Sequence, residues 1–330
     1  MTALPTFNLD AGINRIERRV VPTLVPVPKR PGIVYPTVSI VMPTFKRAHL
    51  IGESIRSLLD QSWKDFELLV RDDGPDDAVE KIVAQVQDPR IRYHRNATRL
   101  GMPTNLNEGI RDSVGEYVLV CHDHDLYNKA FVEKMARFLQ DHPFAIFVHA
   151  GVEVIDQDGQ PKGQRYVGNF PQLSPGRVWL NRMLSRLDCP VCADSMVRRS
   201  AYEKYGLYNP AFGFVSDVEM WMRLCLSGEV GYLAEPLIRV REREANHPSE
   251  NHSWDLMGTV LEIQRMYHEK AFRGLYGWWR RLRFWAYGDG YLFTNYLACV
   301  ARKDRLKKEQ GRAYLRHCGF PFSRLAARVL

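Results

Sequence analysis

The sequence predicts an α/β protein: a mostly parallel sheet flanked by helices, followed by a basic helical C-terminal extension. Three observations carry this. Short apolar or β-branched runs alternate with segments of helical period three times between residues 37 and 120. That alternation is the sequence form of a parallel sheet with helices on its faces. The runs stop at polar, turn-forming residues, at the strand ends where open α/β sheets bind ligands. The charge is also uneven: from Arg265 to Leu330 there are 15 Lys and Arg against 4 Asp and Glu, so a net +8 resolves into +11 in the tail and −3 elsewhere.

Residues 1–36 carry Pro22, Pro26, Pro28, Pro31 and Pro36, which rule out a long helix, and read as an extended leader. Thr37–Met42 is a β-branched run bounded by prolines, the mark of a buried strand. From His49 to Gln61, Leu50, Ile51, Ile55, Leu58 and Leu59 recur at helical spacing. Phe66–Arg71 is the second strand and ends in Asp72-Asp73-Gly74-Pro75, a sharp turn that leaves a carboxylate facing the crevice. A polar helix over Asp77–Gln87 leads to a short strand, Ile91–His94. Arg95–Asn107 is expected as a loop, with a helix to Val114 that Gly115 breaks. The fourth strand begins at Val118.

That strand ends in VLVCHDHDLY, where an apolar run gives way to His122, Asp123, His124 and Asp125. Four ionisable groups closing a buried-type strand are costly unless something uses them. Asp123 and Asp125 lie two apart, so on a strand they share a face and can share one divalent cation. A polar strand-to-loop turn with no ligand is the alternative. Further on, Val218, Trp221, Met222 and Cys225 recur at i, i+3, i+4 and i+7, a helix with Asp217 at its N-terminus.

Composition narrows the class. The chain is 45% hydrophobic and 25% charged, values of an ordinary globular protein. No run of 18 apolar residues suggests a membrane span. The N-terminus lacks the cationic start and apolar core of a secretory signal, so a cytoplasmic location is expected. Six cysteines over this length form no disulfide framework, and Cys189-Pro-Val-Cys192 has no second pair at zinc-site spacing.

The stretches SIVMPTFKR, LLDQSWKDFELLVRDDGP and RLGMPTNLNEGIRDSVGEYVLVCHDHD together resemble a family 2 glycosyltransferase of the GT-A fold. VRRSAYEKYGLYNPAFGFVSDVEMWMRLCLSGEVGYLAEPLIRVRE is similar to that family's acceptor-side half. The resemblance covers about residues 37–243 and rests on several motifs in the right order. It implies an inverting enzyme with a nucleotide-sugar donor and a Mg²⁺ or Mn²⁺ ion on the donor diphosphate. Domains expected on this basis are a leader (1–36), a catalytic domain (37–250, donor half 37–127 and acceptor half 128–250) and a basic aromatic-rich tail (251–330).

By the same resemblance Pro43 and Phe45 flank the nucleoside, with Thr44 and Arg47 beside them, and Asp73 accepts a hydrogen bond from the base. Arg99 falls where relatives place a basic residue near the donor phosphates, and its fork suits phosphate. Asn107 matches a loop Asn of the family; helix or loop hydrogen bonding is the competing role. At the centre the family has an Asp-x-Asp-Asp pattern, and here His fills two of those slots. Asp125 is expected as metal ligand, Asp123 on the ribose or the metal, and His124 as the reserve ligand. Asp217 is expected as the general base, with Glu219 behind it; an N-cap is the bland role for Ser216 or Asp217. Arg241, Arg243 and His247 are candidates for a lid over the donor.

In the tail, Leu275, Trp278, Trp279, Leu282, Trp285 and Ala286 share one helical face, with Arg273, Arg280 and Arg283 expected opposite. Such a helix suits an anionic membrane surface, and so a peripheral site at the membrane's inner face. A helix covering a domain edge or a homodimer interface is the competing role. The expected partners are a UDP- or dTDP-sugar rather than a GDP-sugar, and a glycan or lipid-linked acceptor. A non-catalytic nucleotide-sugar- or nucleic-acid-binding protein is the alternative, but no nucleic-acid motif accompanies the basic tail. A nicotinamide oxidoreductase is disfavoured because MPTFKR stands where GxGxxG belongs.

Overall fold

The structure is a computed structural model that describes residues 21–26, 33–185, 189–242, 254–302 and 305–317, with 323 and 325. Two compact units divide them: residues 21–181 with 189–242, and residues 182–185 with the described part of 254–325.

The first unit is built on one sheet. β1 (Val38–Thr44), α1 (Ala48–Leu59), β2 (Phe66–Asp72), α2 (Ala78–Val86), β3 (Ile91–Arg95), α3 (Met102–Asp112) and β4 (Tyr117–Val120) alternate as expected. β3, β2, β1 and β4 lie side by side and all parallel. Beyond them come β5 (Leu126–Tyr127), α4 (Phe131–Asp141), β6 (Ala145–Ile155), β7 (Pro161–Tyr166), β8 (Leu173–Pro175), α5 (Gly176–Met183) and β9 (Met196–Arg198). α6 (Arg199–Tyr205), a 3₁₀ turn over Pro210–Val215, α7 (Ser216–Cys225) and β10 (Glu229–Arg241) complete the unit. The sheet continues β4-β9-β6-β10-β5, and there β9 and β5 run antiparallel to their neighbours while β10 is parallel to β6.

The parallel half reads as unbroken apolar runs because both faces are covered. Six of the seven residues of β1 and all seven of β2 are buried. α1 buries Leu50, Ile51, Ile55 and Leu58 on one stripe, the period that marked it in the sequence. α3 starts at Met102 rather than after Asn107, because Pro103 sits in its first turn, where a missing N–H costs nothing. Gly109 lets α3 lie on β1: a Cβ there would come within 2.4 Å of Val41 Cγ1. Gly115 has a reason beyond ending the helix, since a Cβ would lie 2.6 Å from the Ser39 backbone nitrogen.

The second unit has its own small core. α8 (Trp254–Ala271), α9 (Gly274–Ala301) and α10 (Arg305–His317) enclose Trp254, Leu261, Phe284, Leu292, Tyr296 and Leu315. α9 begins at Gly274, whose φ of +65° suits glycine, and runs through Gly277 unbroken. Its predicted apolar face is not the buried one. Phe284, Leu292 and Tyr296 face the core, while Leu275 is 89% exposed, Trp278 59% and Leu282 52%. Of the arginines expected opposite, Arg283 instead lies over the Trp279 ring at 4.7 Å.

Candidate active site

Parallel pairing brings three strand ends together. Thr44 stands opposite Asp72, and Val41 opposite Val120. Pro43-Thr44-Phe45, Asp72-Asp73 and Cys121–Asp125 therefore leave the sheet at one edge, where open α/β sheets place ligands.

Beside β1 and β2 that edge holds an open cavity of about 410 Å³, lined by Phe45, Lys46, Asp73–Pro75 and Arg95–Arg99. Of the residues expected at the nucleoside, Phe45 and Asp73 line it, as does Arg99, expected at the phosphates; Pro43, Thr44 and Arg47 do not. The guanidinium of Arg99 lies over the Phe45 ring at 4.1 Å, a cation–π pair on the cavity wall. Pro43 is half-buried and Thr44 buried, its hydroxyl without a partner among the described residues. Arg47 caps the start of α1 through its carbonyl, which accepts from Leu50 and Ile51.

Asp73 is 5% exposed and accepts three hydrogen bonds. It accepts from Asn96 Nδ2 at 2.9 Å and from the backbone N–H groups of Leu100 at 2.7 Å and Gly101 at 2.8 Å. The carboxylate thus pins the loop that carries Arg99. Asp72 turns the chain by accepting from Gly74 N, and also accepts from the Tyr93 hydroxyl.

On the other side of β1, the central loop is not an extension of β4, which ends at Val120. The period-two argument therefore does not apply to Asp123 and Asp125, and they part company. Asp123 faces His124, 2.9 Å from its Nδ1. Asp125 is wholly buried: Oδ1 accepts from the Arg241 backbone N–H at 2.8 Å and Oδ2 lies 3.2 Å from His122 Nδ1. The His122 and His124 rings stack 5.4 Å apart and nearly parallel. His122, His124 and Asp125 each offer a donor atom within 4.8 Å of the others, a set of two imidazoles and a carboxylate that fits a divalent ion.

Sequence reasoning missed Asp194. It is 1% exposed and sits in the turn before β9, where no motif marks it. Its Oδ1 accepts from the His122 backbone N–H at 3.0 Å and from the Tyr127 hydroxyl at 2.8 Å, and its Oδ2 lies 3.2 Å from His122 Nδ1. Burial pushes the His122 pKa down, but Asp194 and Asp125 outweigh it and hold it well above the ordinary value. Burial raises Asp194, and His122 and Tyr127 more than offset that.

Arg241 lies at the end of β10, 2% exposed, and brackets the central loop. Nε donates to the His124 carbonyl at 2.9 Å, Nη2 to Glu53 Oε2 at 2.8 Å, and Nη1 to both the Asp156 and Gln157 carbonyls. A side chain so engaged is part of the floor rather than a lid. Arg243 and His247 lie outside the described residues.

Asp217 is half-buried in the first turn of α7. The N-cap position is Val215, so neither Ser216 nor Asp217 caps the helix; Asp217 Oδ1 accepts instead from Val218 N at 2.8 Å. Burial raises its pKa, against the Val218 N–H and the charge of His122, which lower it. His122 is thus near enough to act on Asp217 electrostatically. Glu219 is buried and spent on Arg223, at 3.1 Å. Asn107 is 1% exposed, and its amide exchanges two hydrogen bonds with the Tyr208 backbone, at 2.7 and 3.0 Å.

The fold is that of the GT-A glycosyltransferases. S. aureus TarS in its complex with UDP-GlcNAc superposes with a TM-score of 0.58 at 16% identity, over 85% of this chain and 81% of that one. The profile described as Glycosyl transferase family 2 matches residues 39–206, and the chain belongs to that family. Among curated relatives, EpsE of Bacillus subtilis, itself assigned only provisionally as a glycosyltransferase, is 28% identical over 236 residues. That match covers 69% of this chain and 81% of EpsE. A shorter stretch of 93 residues is 36% identical to the Campylobacter jejuni "GalNAc(5)-diNAcBac-PP-undecaprenol beta-1,3-glucosyltransferase", 27% of this chain and 30% of that protein.

Proposed function

We propose that this glycosyltransferase moves a sugar from a nucleoside diphosphate donor to a hydroxyl of a glycan or lipid-linked acceptor with inversion at the anomeric carbon. What supports the reading most is that the strands carrying Phe45, Asp73 and the central loop end at one edge of the sheet, and that the charge of His122 in that loop acts on Asp217.

The nucleoside sits in the cavity beside β1 and β2, its base against Phe45 and Pro43. Asp73 holds the Arg99 loop in place and still has room for the base, since a carboxylate accepts about four hydrogen bonds and three are used. Arg99 pairs with the phosphates. His122, His124 and Asp125 of the central loop would hold a divalent ion, which would supply neutralising charge to the leaving diphosphate. Asp217 takes the acceptor proton as the acceptor oxygen bonds to the anomeric carbon and the sugar–phosphate bond breaks, its electron pair leaving with the nucleoside diphosphate. One displacement needs one base, not the carboxylate pair of a hydrolase. A uridine nucleotide is favoured because the TarS structures carry UDP and UDP-GlcNAc. A lipid-linked acceptor is in keeping with the name of the Campylobacter relative. Among the described residues no helix is long and apolar enough to cross a membrane. The exposed Leu275, Trp278 and Leu282 of α9 are read as a peripheral attachment.

The test is a panel of UDP-, dTDP- and GDP-sugars with divalent metal and hydroxyl acceptors, read as nucleoside diphosphate release and as a rise in melting temperature with donor. The expected result is a response to uridine or thymidine donors. A flat response to all three sinks the reading.

A further inference from the structure

The second unit carries a pocket that the transfer reaction does not use. α8, α9 and the residues just after α5 enclose a cavity of about 60 Å³ lined by Ser185, Gln264, His268, Arg280, Arg283 and Tyr287. One water needs roughly 10–15 Å³, so the space admits a group the size of a phosphate. Among the described residues no carboxylate lines it. His268 is 1% exposed, and its Nε2 donates to the Leu184 carbonyl at 3.1 Å, which sets the tautomer. Phe284 packs against the ring at 5.0 Å. Nδ1 is then buried without a partner among the described residues, and so is Nη2 of Arg280. A guanidinium nitrogen can only donate, so what Arg280 lacks is an oxygen. The faces of Arg280 and Arg283 lie over the Phe272 and Trp279 rings at 4.6 and 4.7 Å, which orients both forks. Burial, and next the charge of Arg280, lowers the His268 pKa to about 4. A cationic cluster of this kind, with no counter-charge lining it, suits an anion.

We propose that this pocket between α8 and α9 takes the phosphate headgroup of a lipid, held by Arg280, Arg283 and His268. The two forks give phosphate oxygens charge-assisted hydrogen bonds. His268 Nδ1 accepts from a protonated phosphate oxygen, or donates once the anion draws a proton onto it. What adjoins the pocket favours a lipid over free phosphate. On the same helix Leu275, Trp278, Trp279 and Leu282 are all exposed and recur at i, i+3, i+4 and i+7, an apolar row on which acyl chains can lie. The inference rests on the reading of α9 as a peripheral attachment and sharpens it. Attraction by net charge ignores the kind of anion, whereas this pocket selects phosphate.

Liposomes matched in surface charge test it. The full chain is titrated with phosphatidylcholine liposomes that contain either phosphatidic acid or oleate. The expected result is at least ~10-fold tighter binding to the phosphatidic acid liposomes. Arg280→Lys and Arg283→Lys keep the net charge and lose the fork, so each cuts that preference at least ~3-fold while binding to oleate liposomes stays within ~2-fold of wild type. Thermal unfolding confirms that the variants are folded; Arg283 is exposed, so its variant carries the test if Arg280→Lys does not fold. Calorimetry with dihexanoyl phosphatidic acid and with inorganic phosphate separates the two sources of phosphate. The lipid should bind at least ~10-fold more tightly, because its chains bury apolar area. Equal affinity for the two kinds of liposome, an unchanged preference in the folded variants, or inorganic phosphate bound as tightly as the short-chain lipid would each overturn the inference. The two readings fail separately. A chain that binds both kinds of liposome alike keeps the attachment and loses the pocket. A chain that binds dihexanoyl phosphatidic acid through Arg280 and Arg283 but ignores liposomes keeps the pocket and loses the attachment.

Discussion

Asp217, the proposed general base, is half-buried. Burial raises its pKa, against the Val218 N–H and the charge of His122, which lower it. Asp217→Asn keeps the shape and removes the base, so turnover falls by about two orders of magnitude or more while donor affinity stays near wild type. Turnover within a few-fold of wild type assigns Asp217 to the helix terminus alone. The sign of the pH effect follows from the raised pKa. The base works only when ionised, so the acidic limb of kcat/KM lies above that of an ordinary carboxylate, activity climbing as pH rises through it. His149 gives a separate, structural prediction. It is wholly buried among Phe147, Trp179 and Tyr232, with both ring nitrogens unpartnered among the described residues, and burial lowers its pKa to about 3. The unfolded chain takes up that proton nearer the ordinary histidine value of 6.5, so stability is full above that pH and declines as pH falls towards 3. Melting temperature against pH should show this slope, and His149→Phe should flatten it.

At the scale of elements, the loop from Asn96 to Gly101 is held chiefly by one carboxylate. Asp73→Asn replaces an acceptor by a donor facing backbone N–H groups. That leaves buried groups unsatisfied at about 1–3 kcal/mol, and the expected outcome is a lower melting temperature together with weaker nucleotide binding. A normal nucleotide affinity in the folded variant would separate the loop from the donor site. The packing of α3 on β1 is as exacting. Gly109→Ala puts a methyl 2.4 Å from Val41 Cγ1, and overpacking of this kind costs about 1–3 kcal/mol, measurable by denaturant unfolding. Most elements were legible beforehand: α1, β1, β2 and α7 show their period or their apolar run in the residues alone. The start of α3 was not, because Pro103 looks like a helix breaker until its place in the first turn is known.

For the whole molecule, charge is segregated: +11 in residues 265–330 and −3 in the rest. α9 adds Leu275, Trp278, Trp279 and Leu282 on an exposed face. Attraction of roughly 1 kcal/mol per basic residue near an anionic surface, with aromatic burial, holds such a protein there reversibly. Co-sedimentation with anionic liposomes at low salt is expected, weakening as salt rises, with little binding to neutral liposomes. A chain ending near Tyr267 should not sediment. If the full chain ignores anionic liposomes, that face is left to a protein partner, with a second copy of the chain as the first to check.

The sequence by itself determined the alternating strands and helices, the strand ends that carry Phe45, Asp73 and the central loop, and the family, because apolar period and motif order are local properties of the chain. Only the tertiary structure decided which distant groups meet. Asp194 is 72 residues from His122 and Arg241 is 116 from Asp125, yet each closes on the central loop through the antiparallel strands that join the parallel half. The same closure turned Arg241 from a lid candidate into a buried bracket and parted Asp123 from Asp125. Side-chain partners across such separations depend on register and packing, which no single stretch of residues encodes.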